Sequence, residues 1–316
     1  MRMYNISKIT KDINGYIFDN NEFLFNKAAM FSTAYPVDLS FTLNRENIYY
    51  EPKDCQGIPV KIYKSVGAQY NPTRIAAYGL AHYNQYLATG SSDSREQFKK
   101  VADWFMHRSS NGLWTYEFSW GDLDPPWISA MAQGEGISVL VRAWHLSGDE
   151  RYLERALMAT EPFSREISDG GVLAYLDGRD PFLEEYPTPN PSHVLNGFLF
   201  AVIGLADIER MADRTLPTNL GVDRWVEVLG RHLHEWDLGF WSAYDLSLAS
   251  HRLRNPTTVS YHRLHISQLH YLGEYARSRV LLETAKKWDK YRERFSSRIR
   301  AMLMKFAYRA IVKAER

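Results

Sequence analysis

From Tyr70 onward, apolar residues recur three and four positions apart over long windows, which is the period of helices with one buried face. The pattern predicts helices over residues 72–89, 93–108, 127–147, 149–166, 190–213, 217–235, 258–276 and 278–295. Residues 1–66 read differently. Short β-like runs at Tyr16-Ile-Phe18 and Ile58-Pro-Val-Lys-Ile-Tyr63 are broken there by Asn, Asp, Gly and Pro. The expected organisation is a small β-rich or irregular arm over 1–69, a helical body over 70–295 and a basic amphipathic helix over 296–316.

A short motif recurs between the helices: Gly112-Leu-Trp-Thr-Tyr116, Gly171-Val-Leu-Ala-Tyr175 and Gly239-Phe-Trp-Ser-Ala-Tyr244, at spacings of 59 and 68 residues. Each follows the second helix of a pair, so the repeat reads as a helix-ending Gly and then a short aromatic strand. Helix pairs that cannot bury their faces alone must stack on their neighbours. The expected fold is mainly α: an (α/α) barrel or toroid of about four helix pairs, with short β-hairpins gathered at one rim.

Composition then narrows the chemistry. Of 316 residues, 14% are aromatic, and many of these fall on the loops at that rim. Trp114, Tyr116, Trp120, Trp127, Trp241 and Tyr244 are placed to stack against pyranose rings and hydrogen-bond their edges, which makes a saccharide the leading ligand class. Taken singly, each reads as core more than as a ligand contact, and only together do they point to a saccharide. A single cysteine, Cys55, excludes an internal disulfide or a multi-Cys zinc site and suits a reducing compartment. The N-terminal residues do not read as a secretory signal, and no run of about 18 apolar residues occurs. A cytoplasmic protein is expected. Phosphate-loop, dinucleotide and nucleophile-elbow templates are absent, and Gln133-Gly-Glu-Gly136 lacks their strand–turn–helix context, so no cofactor is expected.

Two segments carry most of the candidate chemistry. Phe182-Leu-Glu-Glu-Tyr-Pro-Thr-Pro-Asn-Pro-Ser-His-Val-Leu-Asn-Gly-Phe198 joins two carboxylates and a tyrosine to three prolines, a stiff loop that would aim Glu185 and Tyr186 in fixed directions. An acidic surface turn is the competing reading. Asn196-Gly197 favours a functional role, because both residues cost helix propensity and a buried Asn needs partners. In Asn255–Leu269, a helix beginning near Thr258 would place Tyr261, His265 and Gln268 on one face with His262 beside it. No companion cysteine or HExxH pattern accompanies these histidines, and no metal site is assigned.

On these segments the chain resembles the C-terminal domain of the D-glucuronyl C5-epimerase family, which converts glucuronate to iduronate within heparosan or heparan chains. The likeness runs from about Tyr70 to Leu272. It rests on Tyr70-Asn-Pro72 with Ala77-Tyr-Gly-Leu-Ala-His-Tyr83, Trp127-Ile-Ser-Ala-Met-Ala-Gln-Gly134, Glu184-Glu-Tyr-Pro-Thr188 with Val194-Leu-Asn-Gly-Phe198, Ala243-Tyr-Asp-Leu246, and Tyr261-His-Arg-Leu-His265 with Gln268. The resemblance implies catalytic roles for Glu185, Tyr186, Tyr244 and Tyr261. It also implies an α/α barrel whose mouth binds an acidic polysaccharide, and β-rich N-terminal portions that shape the cleft and support dimers. Residues 1–66 can supply only a fragment of such portions. Where the family has an arginine three residues after the Tyr-Asp-Leu tyrosine, this chain has Ser247, and Arg252 or Arg254 is the expected substitute.

The expected reaction fits these groups. Epimerisation at C5 needs one group to remove the proton, support for the carbanion, and a second group to reprotonate the other face. Glu185 and Tyr261 are the expected pair, and the sequence does not say which is the base. A tyrosine titrates usefully only if a cation lowers its pKa from about 10. Asn196, His262, His265, Arg252, Arg254, Trp127 and Gln133 are the expected substrate contacts. Rivals are a uronate lyase, an inverting glycosidase pairing Glu185 with Asp122 or Asp124, and a saccharide-binding protein of an assembly system.

Charge adds one further expectation. The formal net charge of +1 argues against a nucleic-acid binder, but it conceals asymmetry, since residues 286–316 carry a net +8 and the remainder −7. Ile299, Met302, Leu303, Phe306, Ala310 and Ile311 interleave with those cations at helical spacing. The tail therefore reads either as a contact for the inner membrane surface or an assembly partner, or as a solvated helix packed on the body.

Overall fold

The structure, a computed structural model, describes residues 6–19, 22–247 and 253–311. Among the described residues, twelve α-helices follow in chain order: α1 (Ile6–Phe18), α2 (Ser40–Leu43), α3 (Glu46–Tyr49), α4 (Pro72–Thr89), α5 (Ser92–His107), α6 (Ala130–Ser147), α7 (Glu150–Met158), α8 (Leu195–Met211), α9 (Val222–His232), α10 (Val259–Tyr275), α11 (Arg279–Glu293) and α12 (Phe295–Ile311). Two antiparallel hairpins accompany them, β1 (Lys61–Tyr63) with β2 (Gly67–Gln69) and β3 (Leu173–Leu176) with β4 (Asp180–Leu183).

The mainly helical class and its pairing follow the hydrophobic period. The inner helices α4, α6, α8 and α10 pack side by side in that order, and each is backed by the helix that follows it, α5, α7, α9 and α11. Local chemistry sets the ends. Asn71 caps α4 by accepting from the Arg74 amide with Pro72 at the first position, Ser129 caps α6, and left-handed glycines Gly90 and Gly148 stop these two helices. The tightest seam is between α6 and α8. A Cβ on Gly134 would sit 2.4 Å from the Ala201 backbone, and one on Gly204 would sit 2.4 Å from the Gly134 carbonyl, so neither position tolerates a side chain.

Two expectations are corrected. The helix expected from residue 190 starts only at Leu195, because His193 sits at φ 51 and turns its amide to the Glu184 carboxylate (3.1 Å), holding residues 190–194 outside the helix. The N-terminal stretch read as irregular or β-rich contains α1, which absorbs the supposed strand at Tyr16-Ile-Phe18, and only Lys61–Tyr63 of the second run is a strand. This stretch also does structural work, bridging from α10 to α4. The Tyr16 hydroxyl donates to the Thr257 carbonyl (2.8 Å), Ser267 of α10 donates to the Phe23 carbonyl (2.7 Å), and the Tyr35 amide donates to Asn84 of α4 (2.7 Å).

Helix α12 packs on α1 and α11. Four of its cations are engaged within the chain: Arg309 with Asp12 (2.6 Å), Lys305 with Asn255 (2.7 Å), Arg298 with the Tyr16 carbonyl (2.9 Å), and Arg300 over the Phe240 ring (3.9 Å). Among the described residues, no helix is long and apolar enough to cross a membrane.

Candidate active site

Hairpin β3–β4 delivers the two adjacent carboxylates, and their surroundings give them opposite roles. Glu184 is fully buried and turns back into the loop, meeting both the His193 amide and its Nδ1 (2.7 Å). It fixes the loop. Glu185 points the other way, into a cleft at the end of the helix pairs. There its Oε2 accepts from the Nδ2 of Asn196 (3.4 Å), itself buried in the first turn of α8. Gly197 makes that approach possible: a Cβ there would lie 2.6 Å from both Cβ and Oε2 of Glu185.

The cleft wall is aromatic. Tyr116 and Trp127 pair across a β-bridge and stack at 4.0 Å, Trp127 lies 6.2 Å from Tyr186, and Tyr63 of β1 contacts Phe118 (4.7 Å) and Trp120 (5.7 Å). Asn71 and Thr73 at the start of α4, with Ser129 before α6, add polar edges beside Glu185. Tyr244 and Tyr261, from the loop before α10 and its first turn, stand edge to face at 5.6 Å. A larger cavity of about 430 Å³ lies elsewhere, between α5 and the α6–α7 turn, and brings none of these groups together.

The electrostatics separate acids from bases. The Tyr186 phenol is held well above its ordinary value by burial, then by the charge of Glu185 and a hydrogen bond to it. Tyr261 is also raised, first by desolvation and then by Glu185 and Glu135, although 37% of the residue is exposed. Tyr116 is raised by burial as well. Among the described residues, no cation lowers the Tyr261 phenol as the sequence-based reading required. These phenols stay protonated near neutrality and can only donate in the resting state, whereas Glu185, which already accepts from Asn196, is placed to receive a proton.

The expected site residues thus divide. Glu185, Tyr186, Asn196 and Trp127 meet at the cleft, and Tyr244 packs on Tyr261, whose phenol feels the Glu185 charge. Gln133 is corrected to a structural role: its amide accepts from the Trp114 amide (3.0 Å) and donates to the carbonyls of Gly112 (2.9 Å) and Ala159 (3.1 Å), tying the first aromatic loop to α6. His262 stacks on Trp241 at 3.7 Å, and its two nitrogens meet Ser242 Oγ (2.7 Å) and the Trp288 carbonyl (2.9 Å). Burial pushes it down to about 3, so it is a neutral core residue. His265 is likewise buried, held neutral, and bonded to Ser242 (3.2 Å). Trp114 and Trp241 are core as well.

The expected arginines are also revised. Arg254 donates to the Glu235 carbonyl, away from the tyrosines, and Arg252 lies outside the described residues. Ser247 spends its hydroxyl on Asp245 (2.8 Å). A cation that the sequence reading missed stands on α4: Arg74 lies over the Tyr50 ring, donates to the Glu51 carbonyl (3.3 Å), keeps an unpartnered buried Nε, and influences the phenol of Tyr63 in the cleft wall. Its signal was the capping pattern Asn71-Pro-Thr-Arg74, which sets it in the first turn beside two cleft residues.

Comparison with known proteins agrees with this geometry. Residues 108–290, more than half of the chain, match the family model described as D-glucuronyl C5-epimerase C-terminus. The chain belongs to that family. It is 35% identical over 213 residues to the D-glucuronyl C5-epimerase of Caenorhabditis elegans, covering 61% of this chain and 34% of that protein, so it spans about a third of the relative's length. It is also 29% identical over 181 residues to an uncharacterised protein of Methanocaldococcus jannaschii, covering 56% of each. Among solved structures, an unsaturated glucuronyl hydrolase from Streptococcus agalactiae matches at 15% identity and TM-score 0.46 over 74% of this chain and 58% of its own. A GH76 alpha-mannanase from Bacteroides thetaiotaomicron matches at 12% identity and TM-score 0.47 over 87% and 83%. At those scores neither likeness bears on the chemistry.

Proposed function

We propose that this chain epimerises D-glucuronate residues at C5 within a heparosan-like acidic polysaccharide. The observation that carries the reading is that the Glu185 carboxylate stands among phenols that burial, and then its own charge, hold above their ordinary values. Glu185 removes the C5 proton, and the electron pair of the broken C–H bond spreads into the C6 carboxyl group. Tyr261 then gives its proton to the opposite face of C5, inverting the centre. Tyr186, hydrogen-bonded to Glu185, and Tyr244, packed on Tyr261, hold the two groups in line. The sugar stacks on Trp127 and Trp120, and Arg74 meets the developing negative charge at C6.

The raised phenols of Tyr186 and Tyr261 support Glu185 as the base acting on glucuronate and Tyr261 as the acid. Substituting Glu185→Gln should abolish exchange of the C5 hydrogen of glucuronate with solvent, and Tyr261→Phe should abolish iduronate formation, while binding of glucuronate polymer, read by calorimetry, is retained in both. Unaffected exchange in Glu185→Gln, or unaffected inversion in Tyr261→Phe, would sink the assignment.

A further inference from the structure

The proposed reaction leaves a proton out of place: after one turnover Glu185 holds the abstracted proton and Tyr261 lacks one. The interior behind the cleft contains a group suited to this imbalance. Glu135 lies in the second turn of α6, 2% exposed, and its Oε2 has no hydrogen-bond partner. A carboxylate in such a place is expensive unless it is protonated. Glu135 shares its helix face with Met131 one turn earlier, and Met131 contacts the Asn196 amide that holds Glu185. The same face continues with the buried Ser138 and Arg142, a polar stripe along α6.

The neighbouring inner helices carry matching groups. Asn196 Oδ1 on α8, and Gln268 Oε1 and His265 Nε2 on α10, are buried and unpartnered, as is Ser138 Oγ. The titratable groups that interact with Glu135 are Glu185 from the loop before α8, Tyr35 and Tyr50 from the N-terminal segment, Tyr116 from the cleft wall, and Tyr261 from α10. On α4, Tyr78 and His82 turn to Tyr50 and Ser94. The one cation further along the stripe, Arg142, is committed to Asp207 of α8 at 2.5 Å. Burial, and then the charge of Glu185, raise Glu135 well above an ordinary carboxyl, and Glu135 in turn raises Tyr261.

We propose that Glu135 is a proton reserve for the cleft, acting through Glu185 and Tyr261 and not on the sugar itself. The inference rests on the C5 reading above. In the circuit, the protonated Glu135 gives its proton to the Tyr261 phenolate, and the carboxylate so formed takes the proton held by Glu185. Both cleft groups return to their starting states and Glu135 is again protonated, so charge and protons balance over the cycle.

The test uses the whole chain in three forms, wild type, Glu135→Gln and Glu185→Gln, with carbon-13 NMR of the glutamate side-chain carboxyl groups and C5 exchange on heparosan. One carboxyl should remain protonated at neutral pH in the wild type, be missing in Glu135→Gln, and titrate at lower pH in Glu185→Gln. Glu135→Gln should lower kcat by about tenfold or more with KM little changed and should lose the alkaline limb of the kcat profile, while Glu135→Asp recovers part of kcat. A merely structural glutamate would not move that limb. All glutamates ionised at neutral pH, in a titration that needs no substrate, overturns the proposal whatever the activity. Wild-type kcat and an unchanged pH profile in Glu135→Gln overturn it while leaving the C5 reading intact. A wild type silent in C5 exchange overturns the reading, and the circuit with it.

Discussion

Gly197→Ala isolates the position of Glu185 from its chemistry. The added methyl carbon would stand 2.6 Å from Cβ and Oε2 of Glu185 and 3.0 Å from its Cγ. Non-bonded carbons settle at about 3.5–4.0 Å, so the carboxylate must retreat by about 1 Å. A displacement of that size in a reacting group costs about a hundredfold in rate. Stability responds far less. Alanine gains about 1 kcal/mol over glycine inside a helix, and the overpacking costs about 1–3 kcal/mol, so the net loss is about 0–2 kcal/mol. Thermal unfolding followed by circular dichroism should therefore shift by only a few degrees, while C5 exchange on glucuronate polymer falls about a hundredfold. Gly204→Ala is the contrasting control: its methyl meets the backbone of Gly134 at the α6–α8 seam, and stability itself should drop. Wild-type exchange by a stably folded Gly197→Ala protein would refute the placement of Glu185 as the base.

Two further outcomes follow from the same geometry. Arg74→Met removes the cation beside the Tyr63 wall and should lower kcat more than it raises KM for the polymer, and a kcat equal to wild type would exclude Arg74 from stabilising the charge that develops at C6. Acid stability is set in part by His262, whose folded pKa is depressed from 6.5 to about 3 by burial. The folded state therefore binds fewer protons than the unfolded chain between those values. The stability His262 contributes is complete above pH 6.5 and is lost as pH falls toward 3, with a slope approaching about 1.4 kcal/mol per pH unit. In His262→Gln the Tm should start lower at pH 7 but fall less steeply on acidification, and parallel curves would remove His262 from the account.

The sequence was most informative where a local rule acted alone. Helix α4 spans the expected 72–89, because Asn71, Pro72 and Gly90 fix both ends without help from the rest of the fold. The start of α8 was misplaced, because His193 takes a left-handed conformation whose amide is satisfied by Glu184, a tertiary choice invisible to periodicity. The N-terminal segment misled for a related reason: its backbone is tied to α4 and α10 by hydrogen bonds to residues far away in sequence. Within the site, residue types predicted chemistry but not direction. Glu184 and Glu185 are neighbours in sequence and differ only in which way the hairpin turns them. His262 and His265 looked like ligands, yet Ser242, Trp241 and Trp288 hold them in the core. Arg74 and Glu135 were passed over because their significance depends on what stands opposite, Tyr63 for one and Glu185 for the other.

The central claim is that Glu185 takes a proton from C5 of a polymer-bound glucuronate and that inversion follows without chain cleavage. NMR of heparosan incubated with the protein in deuterium oxide tests this directly. The expected spectrum shows deuterium entering C5 and iduronate signals appearing, with no unsaturated uronate and no new reducing ends, and Glu185→Gln leaves the polymer unchanged. Unsaturated ends would identify elimination, new reducing ends would identify hydrolysis, and a C5 hydrogen that never exchanges would contradict the account.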